Sequence, residues 1–289
     1  MVRLIIERTI DPLLQDIQNN FINKIEQLKS NHGLRANQLE ELEVVGPALA
    51  MLKLRICDPA MGSGYSLVSL VDYLADNILE ATARVENYVA KIDNDIIYQS
   101  PLAKRIKTLR EQIFNKAKIN SWQIQPEQLN DRLLVRRIII KRVIYGVDIN
   151  PMAVELSKIS LWLHTFTVGV PLSFLDHHLC CGNSLFGEWV NLVEKELANS
   201  NFGLFINRYI QQAMQTAMTV QRIEDLPDID IGEIKDSRQF FGQVQEGTIP
   251  LRNILNLRQA LRWVGVDSLT SKKPLFPFEI FLMVPSAIY

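Results

Sequence analysis

The sequence predicts an α/β fold: a parallel sheet covered by helices, with a helical N-terminal region, a helical insertion and a helical extension. Three observations predict it. LRIC at 54–57, VIYGVDIN at 143–150 and HLCCGNSLFG at 178–187 each read as a short buried strand running into a loop. The first two are followed by apolar stretches long enough for helices. Strand–helix alternation of this kind points to parallel strands joined by crossovers. Residues 1–52 make the N-terminal helical region, 53–195 the core with its insertion at about 77–142, and 196–289 the extension.

The totals fit that reading. A chain of 289 residues, 47% hydrophobic and 22% charged, has material for a sizeable core, as one large domain or two small ones. A net charge of −1 gives no global attraction to nucleic acid, so such binding needs a local patch. Three cysteines, two of them adjacent (Cys180, Cys181), make no disulfide framework, which predicts a reducing, cytoplasmic setting. No stretch approaches the roughly 18 apolar residues of a membrane span. The N-terminal MVRLIIERTI carries acid early and does not read as a signal peptide.

In chain order, Leu13, Leu14, Ile17, Phe21, Ile22, Ile25 and Leu28 recur at helical spacing. Asp11 is the expected N-cap, with Pro12 at the first helical position, and NHGL at 31–34 breaks the pattern. The stretch YSLVSLVDYLADNILEA follows the first strand as a helix. Residues 103–142 hold eleven Lys or Arg against three acids, a segregated charge of +8. This segment could track phosphates, but the isoleucines at 138–140 enter a core, which favours an ordinary solvated helix face. Asn150 reads as an N-cap with Pro151 opening the second helix.

The loop after the first strand carries the chemistry. Asp58-Pro59-Ala60-Met61-Gly62-Ser63-Gly64-Tyr65 is nearly all small residues, so a ligand can touch backbone. The helix that follows adds free amide donors and a positive partial charge. The dinucleotide fingerprint fits poorly, because Leu67 stands where its third glycine belongs. A phosphate loop fails for want of a following Gly-Lys-Ser/Thr. Asp58 would repel a pyrophosphate and attract an ammonium- or sulfonium-bearing ligand. S-adenosylmethionine carries both charges. Asp148, at the tip of the second strand, is placed to take two ribose hydroxyls, as acids do there in other nucleoside-binding sheets.

DPAMGSGYSLV, YGVDINPMAVELSKISLWLHTF and CGNSL together resemble the adenine-specific DNA methyltransferases of type IIG and related restriction–modification systems. The matched blocks cover residues 54–76 and 143–188, and RTIDPLL at 8–14 resembles the family's N-terminal region. The resemblance implies a Rossmann-like class I methyltransferase sheet, here incomplete, with S-adenosylmethionine as cofactor and double-stranded DNA as partner. It implies that Asp58, Pro59 and the backbone of Ala60, Met61, Gly62, Ser63 and Gly64 hold the methionine part, with Tyr65 as a neighbouring aromatic. Asp148 would hold the ribose and Ile149 the adenine ring, with Asn183 near the adenine edge or the target pocket. Two departures stand out. Tyr65-Ser66 replaces the family's usual His-Phe, and the catalytic Asn/Asp-Pro-Pro-Tyr/Phe tetrad is absent from these 289 residues. No catalytic residue is therefore assigned. The expectation is a cofactor-binding part that needs a C-terminal half or partner chain, with truncation suggested by the apolar terminus Phe276–Tyr289. A non-catalytic S-adenosylmethionine-binding remnant or split subunit is the alternative, and a methyltransferase for another substrate rests on the same loop.

Other signals read blandly. His177-His178 and Cys180-Cys181 are expected to be strand-edge histidines and buried thiols rather than zinc ligands, since neighbours on a strand face opposite ways. Trp162 and His164 are expected in the core, and the acidic stretch 224–236 on solvated surface.

Overall fold

A computed structural model of the chain describes residues 2–28, 46–92, 99–185, 190, 195 and 203–263. The pattern break at 31–34, Phe186-Gly187 at the end of the third strand–loop block, and the apolar stretch 276–289 lie outside the described residues. The chain forms two compact units. One joins Met1–Cys180 with Pro227–Ile234; the other joins Cys181–Leu226 with Lys235–Tyr289.

The first unit opens with α1 (Val2–Leu28), which runs through Pro12. Asp11 is therefore not an N-cap. Ile6, Ile10, Leu14, Phe21 and Ile25 are buried along one stripe. Burying five such side chains, at about 1.5–3 kcal/mol each, outweighs the roughly 3 kcal/mol that an interior proline costs a helix. Asp11 instead accepts a hydrogen bond from the Tyr73 hydroxyl. Burial, then the Asp11 carboxylate, push Tyr73 up to about 12.

A short α2 (Pro47–Met51) leads into β1 (Ile56–Asp58). After the glycine loop comes α3 (Tyr65–Ile92), then α4 (Pro101–Ile119), a 3-10 turn at Pro126–Leu129 and α5 (Asp131–Arg142). Asn130 caps α5 by accepting the Leu133 amide at 2.8 Å. β2 (Ile144–Asp148), α6 (Pro151–His164) and β3 (Leu179–Cys181) follow. Asn150 caps α6 as the sequence predicts, accepting the Met152 amide at 3.0 Å, with Pro151 in the first turn.

The sheet order is β1-β2-β3, and β1 runs parallel to β2 with Ile56 opposite Ile144 and Asp58 opposite Gly146. Each of these two strands hands over to a helix, an α/β arrangement compatible with an incomplete Rossmann-like sheet. The core sits where α3 meets α5 and β2, on Leu67, Leu74, Ile78, Leu134, Ile139 and Ile144.

The basic segment spends much of its charge inside this unit. Arg110 pairs with Asp131, Arg132 with Asp76 at 2.7 Å and Arg136 with Asp72. Lys141 meets Asp228 at 2.8 Å with both side chains buried. The partners Asp72, Asp76 and Asp228 lie outside residues 103–142, which is why counting charge over that segment overstates it. The acidic stretch 224–236 is correspondingly not all solvated surface. Asp228 is fully buried at a φ of +53°. It also accepts the Phe174 amide, and its carbonyl accepts from Arg137 at 3.2 Å. Burial pushes the Asp228 carboxyl up and pulls the Lys141 ammonium down, and their mutual attraction opposes both shifts. Burial likewise lowers Arg137 to about 10, with Asp228 opposing.

In the second unit, α7 (Gly203–Asp225) and the part of α8 (Ile231–Trp263) from Lys235 onward bury Ile210 against Leu251, with Ala213, Ile254 and Leu255 beside them. Among the described residues, no helix is long and apolar enough to cross a membrane.

Candidate functional site

The two strand-tip acids are spent first on their own loops. Asp58 Oδ1 accepts the Ala60 amide at 3.0 Å, and Oδ2 accepts the Ser66 hydroxyl. Asp148 Oδ1 accepts the Asn150 amide at 2.9 Å, and Oδ2 accepts the Gly62 amide at 2.9 Å. The second contact crosses from one strand's loop to the other strand's tip. The Met61 amide adds a bond to the Val147 carbonyl at 3.1 Å, and the Gly64 amide closes the bend on the Met61 carbonyl at 2.9 Å. A carboxylate offers about four acceptor positions. Asp148 therefore keeps capacity for ligand hydroxyls after holding two amides.

Met61 is 3% exposed, and its side chain lies over Gly146 of β2. Only its backbone can meet a ligand. A Cβ on Gly146 would collide with the Met61 sulfur and come within 3.1 Å of Leu67. The middle strand thus has a glycine because the loop packs down onto it.

Gly62 and Gly64 have φ of +55° and +84°, where other residues are strained. Their two sides differ. A Cβ on Gly64 would come within 2.9 Å of the Ser157 Cβ, whereas one on Gly62 would meet nothing within 4 Å among the described residues. The bend is packed behind and open in front, which is what a loop that offers backbone to a ligand requires. Pro59, Ala60 and Ser63 are exposed, and Asp58 and Asp148 are half-buried. Tyr65 and Ile149 are 72% and 69% exposed, two apolar surfaces flanking the strand tips. The N-terminal turn of α3 begins directly after the bend.

A groove of about 460 Å³ opens beside the loop, lined by Ser63, Tyr65, Val68, Ser160, Leu163 and His164. His164 is consequently not a core residue; its Nε2 meets Asp72 at 2.9 Å at the edge of the groove. Trp162 is half-buried, with its indole N–H on the Ser173 carbonyl at 2.8 Å.

Asn183 lies in the second unit, where its side-chain oxygen accepts the Leu185 amide at 3.0 Å in a local turn. Cys180 and Cys181 are exposed, so they are not the buried thiols expected. The strand is only three residues long, and both cysteines lie at its exposed end. His177 and His178 precede that strand in a turn. His177 stacks on Phe174 and His178 on Tyr145, at 5.6 and 4.1 Å between ring centres. Among the described residues, no three of His, Cys, Asp and Glu are grouped to hold a metal ion. Cys57 beside Asp58 is pushed up by burial and then by that carboxylate, which keeps it a thiol rather than a nucleophile.

Three contributors escaped the sequence reading: Ser66, Gly146 and Ser157. The available signal was a small residue at an otherwise apolar position, as Ser157 is beside buried Val154 and Leu161.

Residues 142–244 match the Eco57I restriction-modification methylase family, a segment that includes Asp148, Ile149 and Asn183. A protein of Methanocaldococcus jannaschii described as a type II restriction enzyme and methyltransferase is 28% identical over 191 residues. That similarity covers 63% of this chain and 12% of the relative, so the chain spans a small part of the relative's length. No solved structure matches the chain. The two matches bear out the resemblance carried by the strand-tip blocks: this chain is similar to restriction–modification methylases, over residues 142–244 in the family match.

Proposed function

We propose that this chain is the cofactor-binding part of a site-specific DNA methyltransferase acting on the exocyclic amine of adenine. The observation that carries the reading is the bend at Gly62–Gly64, open in front and tied through Gly62 to Asp148 at the tip of the neighbouring strand. A loop with exposed backbone beside two carboxylates suits a nucleoside bearing an ammonium and a sulfonium.

In this reading Asp58 and the backbone from Ala60 to Gly64 hold the amino-acid end of the cofactor. Asp148 accepts the ribose hydroxyls with the positions left over from Gly62 and Asn150. Ile149 lies along the adenine ring, and Tyr65 walls the opening. S-adenosylmethionine, when bound, supplies an electrophilic methyl group on sulfur. The amine of adenine is a weak nucleophile, because its lone pair is spread into the ring. It needs acceptors and an aromatic platform to be presented for attack. The sequence has no Asn/Asp-Pro-Pro-Tyr/Phe tetrad to provide them. A C-terminal half or partner chain would supply that tetrad and the recognition of double-stranded DNA.

The test is calorimetry with S-adenosylmethionine on the folded chain and on Asp58→Ala, together with transfer of labelled methyl to DNA. Binding by the parent chain, weakened in the variant, and no labelled DNA are the expected results. Absence of heat with the parent chain sinks the cofactor assignment; labelled DNA from this chain alone sinks the division of labour.

A further inference from the structure

The bend has a floor as well as an open face. Ser157 of α6 is completely buried. A Cβ placed on Gly64 would stand 2.9 Å from the Ser157 Cβ and 3.0 Å from its Cα, so α6 and the bend already touch at the closest spacing that glycine permits. The Ser157 hydroxyl reaches the Gly62 carbonyl at 3.3 Å and the Ala153 carbonyl of its own helix at 3.0 Å. It has one proton for two acceptors. The nearer one is within the helix, so the bond to the loop is the weaker, and side-chain size is what fixes the bend.

We infer that Ser157 is a positioning residue: its small volume sets how deeply the Gly62–Gly64 bend sits against α6. It thereby sets how far the loop's amides stand out toward the amino-acid end of the ligand. Asp148 holds the same bend from the side through Gly62. The bend is therefore fixed by the last residue of β2 and by α6, the helix that follows that strand. The ligand half of this inference rests on the cofactor reading above; the loop half does not.

Ser157→Ala removes the shared hydroxyl and keeps the space. It should leave amide exchange at Gly62 and Gly64, and affinity for S-adenosylmethionine, within about threefold of the parent, the scale of a modest neutral hydrogen bond. Ser157→Val adds methyl groups where none fit. It should speed exchange at both glycines and weaken S-adenosylmethionine by about tenfold, the scale of an overpacked core position. Adenosine, which lacks the amino-acid end, should bind within about threefold of its parent affinity. If the valine variant does not fold, Ser157→Cys is measured by the same criteria. Exchange at Gly62 and Gly64 is read in the ligand-free protein by NMR and the affinities by calorimetry. Unchanged exchange in the larger variant overturns the inference, and so does equal weakening of both ligands, which would mean general damage. Faster exchange in a protein whose parent binds neither ligand keeps the positioning role and removes the cofactor reading instead.

Discussion

The Gly62 amide donates to Asp148 Oδ2 at 2.9 Å, joining two residues 86 positions apart in the chain. The Asn150 amide reaches the other oxygen of the same carboxylate at 2.9 Å. Asp148→Asn would leave one of these donors facing an NH₂ group. Hydrogen bonds to a charged group contribute about 1.5–3 kcal/mol, so S-adenosylmethionine affinity should fall roughly 10- to 100-fold. Calorimetry checks it. An asparagine variant that binds as the parent does would mean that Asp148 neither holds the bend nor meets the ligand.

Gly146 gives a second handle on the same loop. Its Cβ position is filled by the Met61 side chain. Gly146→Ala should destabilise the first unit by about 1–3 kcal/mol, as overpacking does. Adding Met61→Ala should relieve the clash, so that the double variant is more stable than the sum of the two single changes predicts. Urea unfolding of the four proteins measures this coupling. Strict additivity would show that loop and strand are not in contact in solution.

How much of this is legible in the sequence differs by element. The strand tips, the bend and the Asn150-Pro151 helix start were readable, because each depends on neighbours in sequence: a short apolar run, a glycine pair, a cap followed by proline. The Asp11-Pro12 pair misled for the same reason. It has the local chemistry of a helix start, but burial of Ile6 and Ile10 carries α1 through it. What stayed hidden depends on distant partners. The segment 103–142 looks unpaired in sequence, because Asp72, Asp76 and Asp228 are supplied from elsewhere. The sequence marks Asp58 and Asp148 as ligand groups, but that they also hold Ser66 and Gly62 depends on the fold.

Lys141 and Asp228 form the most deeply buried ion pair described, at 2.8 Å with side chains 5% and 0% exposed. Removing one partner strands the other in a low-dielectric site. Lys141→Met or Asp228→Leu alone should each cost about 3–5 kcal/mol. The double replacement should recover part of that loss, since neither charge of the pair is then stranded; the rest remains, because the Phe174 amide and Arg137 still lose the Asp228 carboxylate and a leucine at φ +53° is strained. Chemical denaturation of the two singles and the double checks it. A double variant as weak as the sum of the singles would mean that Asp228 is held chiefly by Arg137 and the Phe174 amide rather than by Lys141.

His177 sets an acid limit on the fold. Burial first, then His178 and Lys141, lower it from 6.5 to about 2. Above 6.5 the ring is neutral both folded and unfolded, and its contribution is fully present. As pH falls below 6.5, the unfolded chain takes up a proton that the folded chain refuses, so stability drops with a slope of up to about 1.4 kcal/mol per pH unit. Between pH 7 and pH 5 the loss from this one residue should reach about 2 kcal/mol. Urea midpoints at the two pH values measure it, with His177→Gln as the control that cannot titrate. The variant's pH dependence should be shallower by that amount. Parallel curves for variant and parent would show that the ring is solvated when the protein is folded, and that the Phe174 stack does not exclude water from it.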